Sequence, residues 1–285
     1  MDHCISSLAQ VDRRAQLGHD VIIGPFCVVG PNVVLGDGCR LDSHVVIVGH
    51  TSIGCRNRFF PNCVIGADPQ DLSYTGAPTR VVMGDDNTIR EGVTVHRGAE
   101  KEDGVTRLGN RNLLMANCHV AHNCWLQNDV VLANGALLGG HVHVHDGAIV
   151  SGNSVVHHFA TLGTLSFVSG GCRVPTDVPP YMLACGADQP RIHSVNVVGL
   201  VRRGIGRETI AVIRRAHRLI FREHRKLTEA RELLLKEHEA GLPIELVRLL
   251  DFIERQQSGR QGRQGEARRL QPFLLDSTAP SRHVA

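Results

Sequence analysis

The chain has 285 residues, a net charge of +3 and only 4 % aromatic residues. That length can bury one large core or two ordinary ones; the charge is too small to imply nucleic acid by itself, and scarce aromatics with plentiful Gly, Val, Leu and Ile favour many short strands and tight turns. The N-terminal "MDHCISSLAQVDRRA" has no apolar run of signal length, and no stretch reaches the roughly eighteen apolar residues of a membrane span. Nine cysteines, an odd count without a CxxC pair, predict reduced thiols in a cytoplasmic protein.

From the N-terminus, large side chains recur every six positions: Leu17, Ile23, Val29, Leu35, Leu41, Ile47, Ile53, Phe59 and Ile65, with Ile5 and Val11 extending the register backwards. Gly follows at 18, 24, 30, 36, 54 and 66, where a turn with positive φ is expected. Two residues before each aliphatic the side chain is usually small. Cys27, Cys39, Cys63, Cys118 and Cys124 all fall there, which predicts packing rather than redox chemistry. The register breaks near "ADPQDLSYTGAPTR", returns with Met83, Ile89 and Val95, and after "RGAEKEDGVTR" runs from Leu108 through Val120, Leu138 and Val156 to Val168. A period of six reads as short strands joined by tight turns, each sending one large side chain inward. Three strands close an eighteen-residue coil, and coils stack by parallel pairing about 4.8 Å apart. The pattern resembles the hexapeptide-repeat, left-handed parallel β-helix family; its handedness is implied by that resemblance, not by the period. A β-helix over 1–190 is expected, with loops projecting at 67–80 and 97–107, where function concentrates.

After "DVPPY" the chain changes character. Ile210, Ile213, Ala216 and Ile220, then Leu227, Ala230 and Leu234, then Ile244, Val247, Leu250 and Ile253 recur at helical spacing. Thr228 is the expected N-cap and Gly241 with Pro243 the break between helices. This predicts a small helical domain over 191–257 and a polar, disordered tail over 258–285. Arg202, Arg203, Arg207, Arg214, Arg215, Arg218 and Arg222 cluster at its start, either as a solvated helix face or as a docking surface for an acidic partner.

The coil arithmetic sorts the histidines. Val120, Leu138 and Val156 are eighteen apart and share one side; His122, His141 and His157 follow them by two, three and one residues, which predicts a rough column along one edge. His119 precedes Val120, and His143 and His145 flank Val144 on the next side. Such a column suits two chemistries. Three neutral imidazoles could hold zinc at about 2.0–2.1 Å, as in γ-class carbonic anhydrases, which use the same prism. Alternatively one imidazole serves as a general base that removes a hydroxyl proton, since its pKa lies near the operating pH. A prism whose histidines only support assembly is the non-enzymatic alternative.

The stretches "PQDLSYTGAPTRVVMGD", "IREGVTVHRG", "LLMANCHVAHNC", "GGHVHV", "DVPPY" and "NVVGLVRRG" resemble, in order and spacing over roughly residues 5–240, the UDP-N-acetylglucosamine O-acyltransferases of lipid A biosynthesis. The resemblance implies His122 as the general base, His119 as a supporting residue in the substrate site, and the Gly140 backbone N–H as the oxyanion donor. It implies that Gln70 and Asp71 contact the sugar in a neighbouring subunit's loop. It further implies that His141, His157, Asn196, Arg202 and Arg203 bind the nucleotide sugar or its diphosphate. The partners implied are acyl carrier protein as acyl donor, a UDP-amino sugar, and further copies of the chain in a homotrimer whose site lies between subunits. No metal or cofactor is implied. The chain departs from the family pattern at Asn123, where Asp is usual, and at Ser73 (Lys), His158 (Gln) and Val198 (Glu). These departures leave a paralogue acting on another UDP-amino sugar as an alternative.

Overall fold

A computed structural model describes residues 4–238 and 241–267. Among the described residues the hexapeptide register becomes three sheets of eleven, nine and eight strands, parallel except for the last strand of the first, and visited in rotation so that along the repeat each third strand pairs with the one before it. The product is a left-handed parallel β-helix of triangular section. Each face contributes one inward column. Leu41, Phe59, Ile89, Leu114 and Leu132 stack on the first, Ile47, Ile65, Val95, Val120 and Leu138 on the second, and Leu35, Ile53, Met83, Leu108 and Leu126 on the third. Cys27, Cys39, Cys63, Cys118 and Cys124 are buried free thiols. Burial pushes the Cys63 and Cys124 thiols up to about 12, so these groups are inert packing.

The glycines are used differently from expectation. Gly18, Gly24, Gly30, Gly36 and Gly54 do not have positive φ; the left-handed residue stands three before the next aliphatic, at Asp20, Phe26, His44, Arg56 and Asn62. Gly66 alone of the six has the expected positive φ, at 81°; what Gly18, Gly24, Gly36 and Gly54 supply is room. A Cβ on Gly24 would lie 2.5 Å from the Asp42 carbonyl oxygen of the next coil, and one on Gly36 would lie 2.6 Å from Gly54. At these two turns the next coil comes too close for a side chain.

The last strand, Arg191–Val195, pairs antiparallel with Met182–Cys185, so sheet continues into the segment where helix was expected. Among the described residues five helices follow: α1 (Val197–Arg202), α2 (Arg207–His217, running into a π-helical turn at Arg218–Arg222), α3 (Leu227–Glu237), α4 (Ile244–Ser258) and α5 (Gln264–Ala267). Ile210, Ile213, Ala216, Leu234, Leu246 and Leu250 form a second core with Leu165, Tyr181 and Met182 of the β-helix. Thr228 lies inside α3 rather than capping it; Lys226 is the cap position. Among the described residues no helix is long and apolar enough to cross a membrane.

The expected disordered tail from Ser258 is corrected as far as Ala267; the rest, 268–285, lies outside the described residues. Arg263 is buried, donating Nη1 to the Pro175 carbonyl (2.8 Å) and pairing Nη2 with Glu266 (2.7 Å). The Asp177 carboxylate accepts the Thr161 N–H at 2.7 Å and the Gln264 N–H at 2.9 Å, while its burial pushes its pKa up to about 7. Composition predicted disorder because the segment is polar, yet its polar groups complete hydrogen bonds that the barrel end leaves open. Arg263→Met removes the donor to Pro175 and the partner of Glu266 and should cost about 1–3 kcal/mol. A urea-denaturation midpoint at fixed protein concentration reads this directly, and an unchanged midpoint would show that the segment adds nothing to stability.

Candidate active site

One edge of the prism, between the second and third faces, carries the turns after His119–Val120, Leu137–Leu138 and Val155–Val156. Asn123, His141 and Phe159, eighteen apart, occupy the left-handed corner with φ of 58°, 63° and 66°. His122 precedes the first of these, and Gly140 is its counterpart one coil on. A Cβ at Gly140 would lie 2.6 Å from His122 Cε1 and 2.7 Å from Nε2, so only glycine lets the imidazole lie across the next coil. Among the described residues the Gly140 N–H donates to no backbone carbonyl. Its carbonyl accepts the Phe159 N–H at 3.0 Å, which fixes the peptide.

His122 Nδ1 donates to Asn123 Oδ1 at 2.9 Å. The amide's orientation is settled by its other bonds, because Oδ1 also accepts the Ala99 N–H at 2.8 Å while Nδ2 donates to the Ala99 and Lys101 carbonyls at 3.3 and 2.7 Å. The proton therefore sits on Nδ1, and the Nε2 lone pair faces the cleft. Burial lowers the His122 pKa below the ordinary histidine value, with the Asn123 hydrogen bond opposing it, so the ring is neutral at pH 7.

The cleft in front of Nε2 has a volume of about 380 Å³ and is lined by Gln70, Asp71, Leu72, Lys101, His122, Gly140, His141, His158 and Phe159. Asp71 lies in the first projecting loop of this same chain, with Oδ2 3.9 Å from His122 Nε2. Within one chain the loop that carries Gln70 and Asp71 folds back over the chain's own base. Ser73 is spent on Asp71, donating its N–H (2.9 Å) and hydroxyl (2.8 Å) to Oδ1. Lys101 donates to Asp71 Oδ2 at 2.9 Å and, with Ser73, holds the carboxyl well below the usual range.

His141 is buried, meets His122 edge-on at 5.2 Å and stacks on Phe159 at 4.5 Å. The Glu102 carboxylate reaches within 3.2 Å of its Nδ1. His157 is on the same edge, but its Nδ1 donates to the His158 carbonyl at 2.9 Å and its ring lies against that of His158. His119 sits back on the second face, bonded to Thr94 Oγ1 at 2.7 Å and edge-on to His96; burial takes it down to about 4, so it too is neutral. The histidines share an edge without converging, and among the described residues no group of three metal-capable side chains could hold an ion.

Asn196, Arg202 and Arg203 are elsewhere. They line a second cavity, of about 390 Å³, with Asp129, Gly147 and Leu165, at the corner between the third and first faces. Asn196 caps α1, accepting the Gly199 N–H at 3.0 Å and donating to the Leu165 carbonyl at 2.9 Å. Arg203 pairs with Asp129 at 3.3 Å, and Val198 is exposed. One chain therefore brings together Gln70, Asp71, His122, Gly140 and His141 but not the arginines. Sequence reasoning missed Lys101, Glu102, Phe159 and His96; the run of charges "EKED" inside the second projecting loop was the available signal for the first two.

Asn123→Asp restores the acid usual in the family but deletes both Nδ2 bonds and sets a carboxylate against the Ala99 and Lys101 carbonyls. We expect the acidic limb of the pH–rate profile to move to higher pH, because a nearby negative charge raises the His122 pKa and the deprotonated ring is the active form. We also expect kcat on the plateau to fall several-fold, since the loop over the base loses its anchor. A full-rate plateau would show that the two loop bonds do not matter.

The fold agrees with comparisons to known proteins. Residues 177–262 match the family model for UDP-N-acetylglucosamine O-acyltransferase, domain 2, and residues 14–49 match the bacterial transferase hexapeptide model. The acyl-[acyl-carrier-protein]–UDP-N-acetylglucosamine O-acyltransferase of Thermodesulfovibrio yellowstonii is 41 % identical over 255 residues, covering 90 % of this chain and 98 % of the relative. That of Syntrophobacter fumaroxidans is 40 % identical over 249 residues, covering 87 % and 96 %. Among solved structures, the UDP-N-acetylglucosamine acyltransferase of Bacteroides fragilis superposes with a TM-score of 0.82 at 37 % identity, covering 88 % of this chain and 96 % of its own. The enzyme of Francisella novicida gives 0.82 at 38 %, covering 88 % and 91 %. With this identity sustained over nearly the whole length, the chain belongs to the UDP-N-acetylglucosamine O-acyltransferase family.

Proposed function

We propose that this chain moves an acyl group from acyl carrier protein to the 3-hydroxyl of UDP-N-acetylglucosamine, the opening step of lipid A biosynthesis, in the cytoplasm. The observation that carries the chemistry is the His122 tautomer: Nδ1–H bound to Asn123, Nε2 bare across Gly140 and open to the cleft. The identity of the acceptor and donor is supported by the names of the relatives.

Nε2 takes the sugar hydroxyl proton as its oxygen attacks the thioester carbon. The carbonyl oxygen becomes an oxyanion, which the free Gly140 N–H meets. As the C–S bond breaks, the imidazolium returns its proton to the departing thiolate, so the cycle closes with His122 neutral. A low pKa suits this order, because the base must be unprotonated at the start and a strong acid at the end. Gln70 and Asp71 lie where a sugar in the cleft would be held, and His119, neutral and fixed by Thr94, supports the pocket wall.

The arginines predicted to grip the diphosphate are on a different corner from His122 in the same chain. A cleft that needs both must take them from two copies, which a homotrimer of prisms standing side by side supplies. For acyl carrier protein, Arg214 and Arg218 line one groove with Arg207 beside the exposed Val201. Arg215, though in that groove, is committed to Glu237 at 2.7 Å.

His122→Ala should lower kcat by about 10²–10⁴-fold in an assay with acyl carrier protein thioester and UDP-N-acetylglucosamine, leaving sugar affinity largely intact. Retention of most activity would remove His122 as the base, and loss of wild-type activity on thorough chelation would point to the zinc chemistry instead. Arg214→Glu or Arg218→Glu should raise KM for the acyl donor, more so at low salt, and leave KM for the sugar nearly unchanged. Equal effects on both substrates would place these residues outside the donor surface.

A further inference from the structure

The loop at 97–104 brings a cation to the base that no feature of the repeat pattern required. Its backbone is tied to the catalytic corner through Asn123, and from there Lys101 reaches across the cleft to Asp71. The decisive geometry is at one oxygen. Asp71 Oδ2 is 2.9 Å from Lys101 Nζ and 3.9 Å from His122 Nε2, while Oδ1 is saturated by Ser73. A shift of about one ångström would put Oδ2 at the distance of a charge-assisted hydrogen bond to Nε2. Such a bond forms only if Nε2 is protonated, which would remove the lone pair that must accept the hydroxyl proton.

We propose that Lys101 is a positioning residue that holds Asp71 off His122, keeping Nε2 bare and the acceptor hydroxyl free to reach it. This rests on the general-base reading of His122. Every other group near the ring leaves that task to Lys101. Asn123 engages only Nδ1; His141 meets the ring edge-on and has Glu102 as its own carboxylate; His119 in the same coil and His96 in the preceding one are held neutral by burial; Gly140 carries no side chain, and His158 lines the cleft. Asp71 is the one carboxylate that reaches Nε2 within 4 Å among the described residues. The side chain of Lys101 is 44 % exposed against 12 % for Asp71, so the cation can be exchanged by substitution without opening a cavity.

Lys101→Met keeps the stem and removes the charge. It frees Oδ2 and deletes a positive neighbour, and both changes raise the His122 pKa. The deprotonated ring is the active form, so the acidic limb of kcat/KM should move up by about 0.5–1 pH unit, with the rate recovering as pH rises. Lys101→Arg, which keeps a cation, should leave the limb near its wild-type position. Lys101→Met combined with Asp71→Asn should bring it back, because the released carboxylate is gone. A rate lowered equally at every pH, with the limb unmoved, would overturn the proposal and make Lys101 a substrate contact. A limb as high in the double variant as in Lys101→Met would overturn it too, since the lysine would then act on His122 without Asp71. Titration of the His122 ring by NMR, with histidine-selective labelling and assignment through His122→Ala, follows the same shift without any turnover. A ring that titrates as predicted in a protein lacking acyl transfer would refute the proposed reaction and leave the positioning role standing. A ring unmoved in Lys101→Met would refute the positioning role alone.

Discussion

The structure depends on one repeated burial: a large aliphatic side chain every sixth residue, driven inward by the hydrophobic effect from each face of a triangular coil. Because three such steps close a turn, residues eighteen apart stack on a common edge, and backbone pairing between coils leaves no freedom in register. The functional consequence is arithmetic. Asn123, His141 and Phe159 must share a corner, and Gly140 must lie under His122. The rigidity of the prism is thus what holds an imidazole, a backbone N–H and a cleft wall at fixed separations without a dedicated scaffold for each.

Electrostatically the cleft is arranged to keep a neutral base among charges. Burial lowers the pKa of His96, His119 and His122, so these three rings carry little charge at neutral pH and do not repel one another. The carboxylates nearby are each assigned a partner: Asp71 to Lys101 and Ser73, Glu102 to His141. An amide at Asn123 fits that economy. It selects the tautomer through Oδ1 and spends Nδ2 on the loop, where a carboxylate would add charge and lose two hydrogen bonds.

What the sequence showed and what it hid follow from the same arithmetic. The six-residue register placed Val120, Leu138 and Val156 on one face and His122, His141 and His157 on one edge, because within the repeat position in the chain is position in space. Where the register breaks, that link is lost. Nothing in the spacing told that Lys101 and Glu102 would return to His122 and His141, since a loop's path is set by tertiary bonds such as those of Asn123. The same limit explains Arg263 and Gln264: polar composition suggested a free tail, but Pro175 and Asp177 at the end of the barrel offer acceptors that only the folded structure juxtaposes. Gly24 and Gly36 were assigned to the right turn for the wrong reason, because periodicity locates a glycine without distinguishing dihedral need from lack of room.

One chain carries His122 and its cleft on one edge and the Asn196, Arg202 and Arg203 cluster on another; the proposed reaction, if it uses both, requires two copies. Subunit mixing tests it most directly. His122→Ala and Arg203→Ala chains, each strongly impaired alone, are co-expressed in equal amounts and purified as mixed oligomers through different tags. If base and arginine come from adjacent copies of a trimer, every assembly that carries both tags regains about one site in three, and activity should return to about a third of wild type. Mixed oligomers no more active than their parents would contradict the account and place the whole site within a single chain.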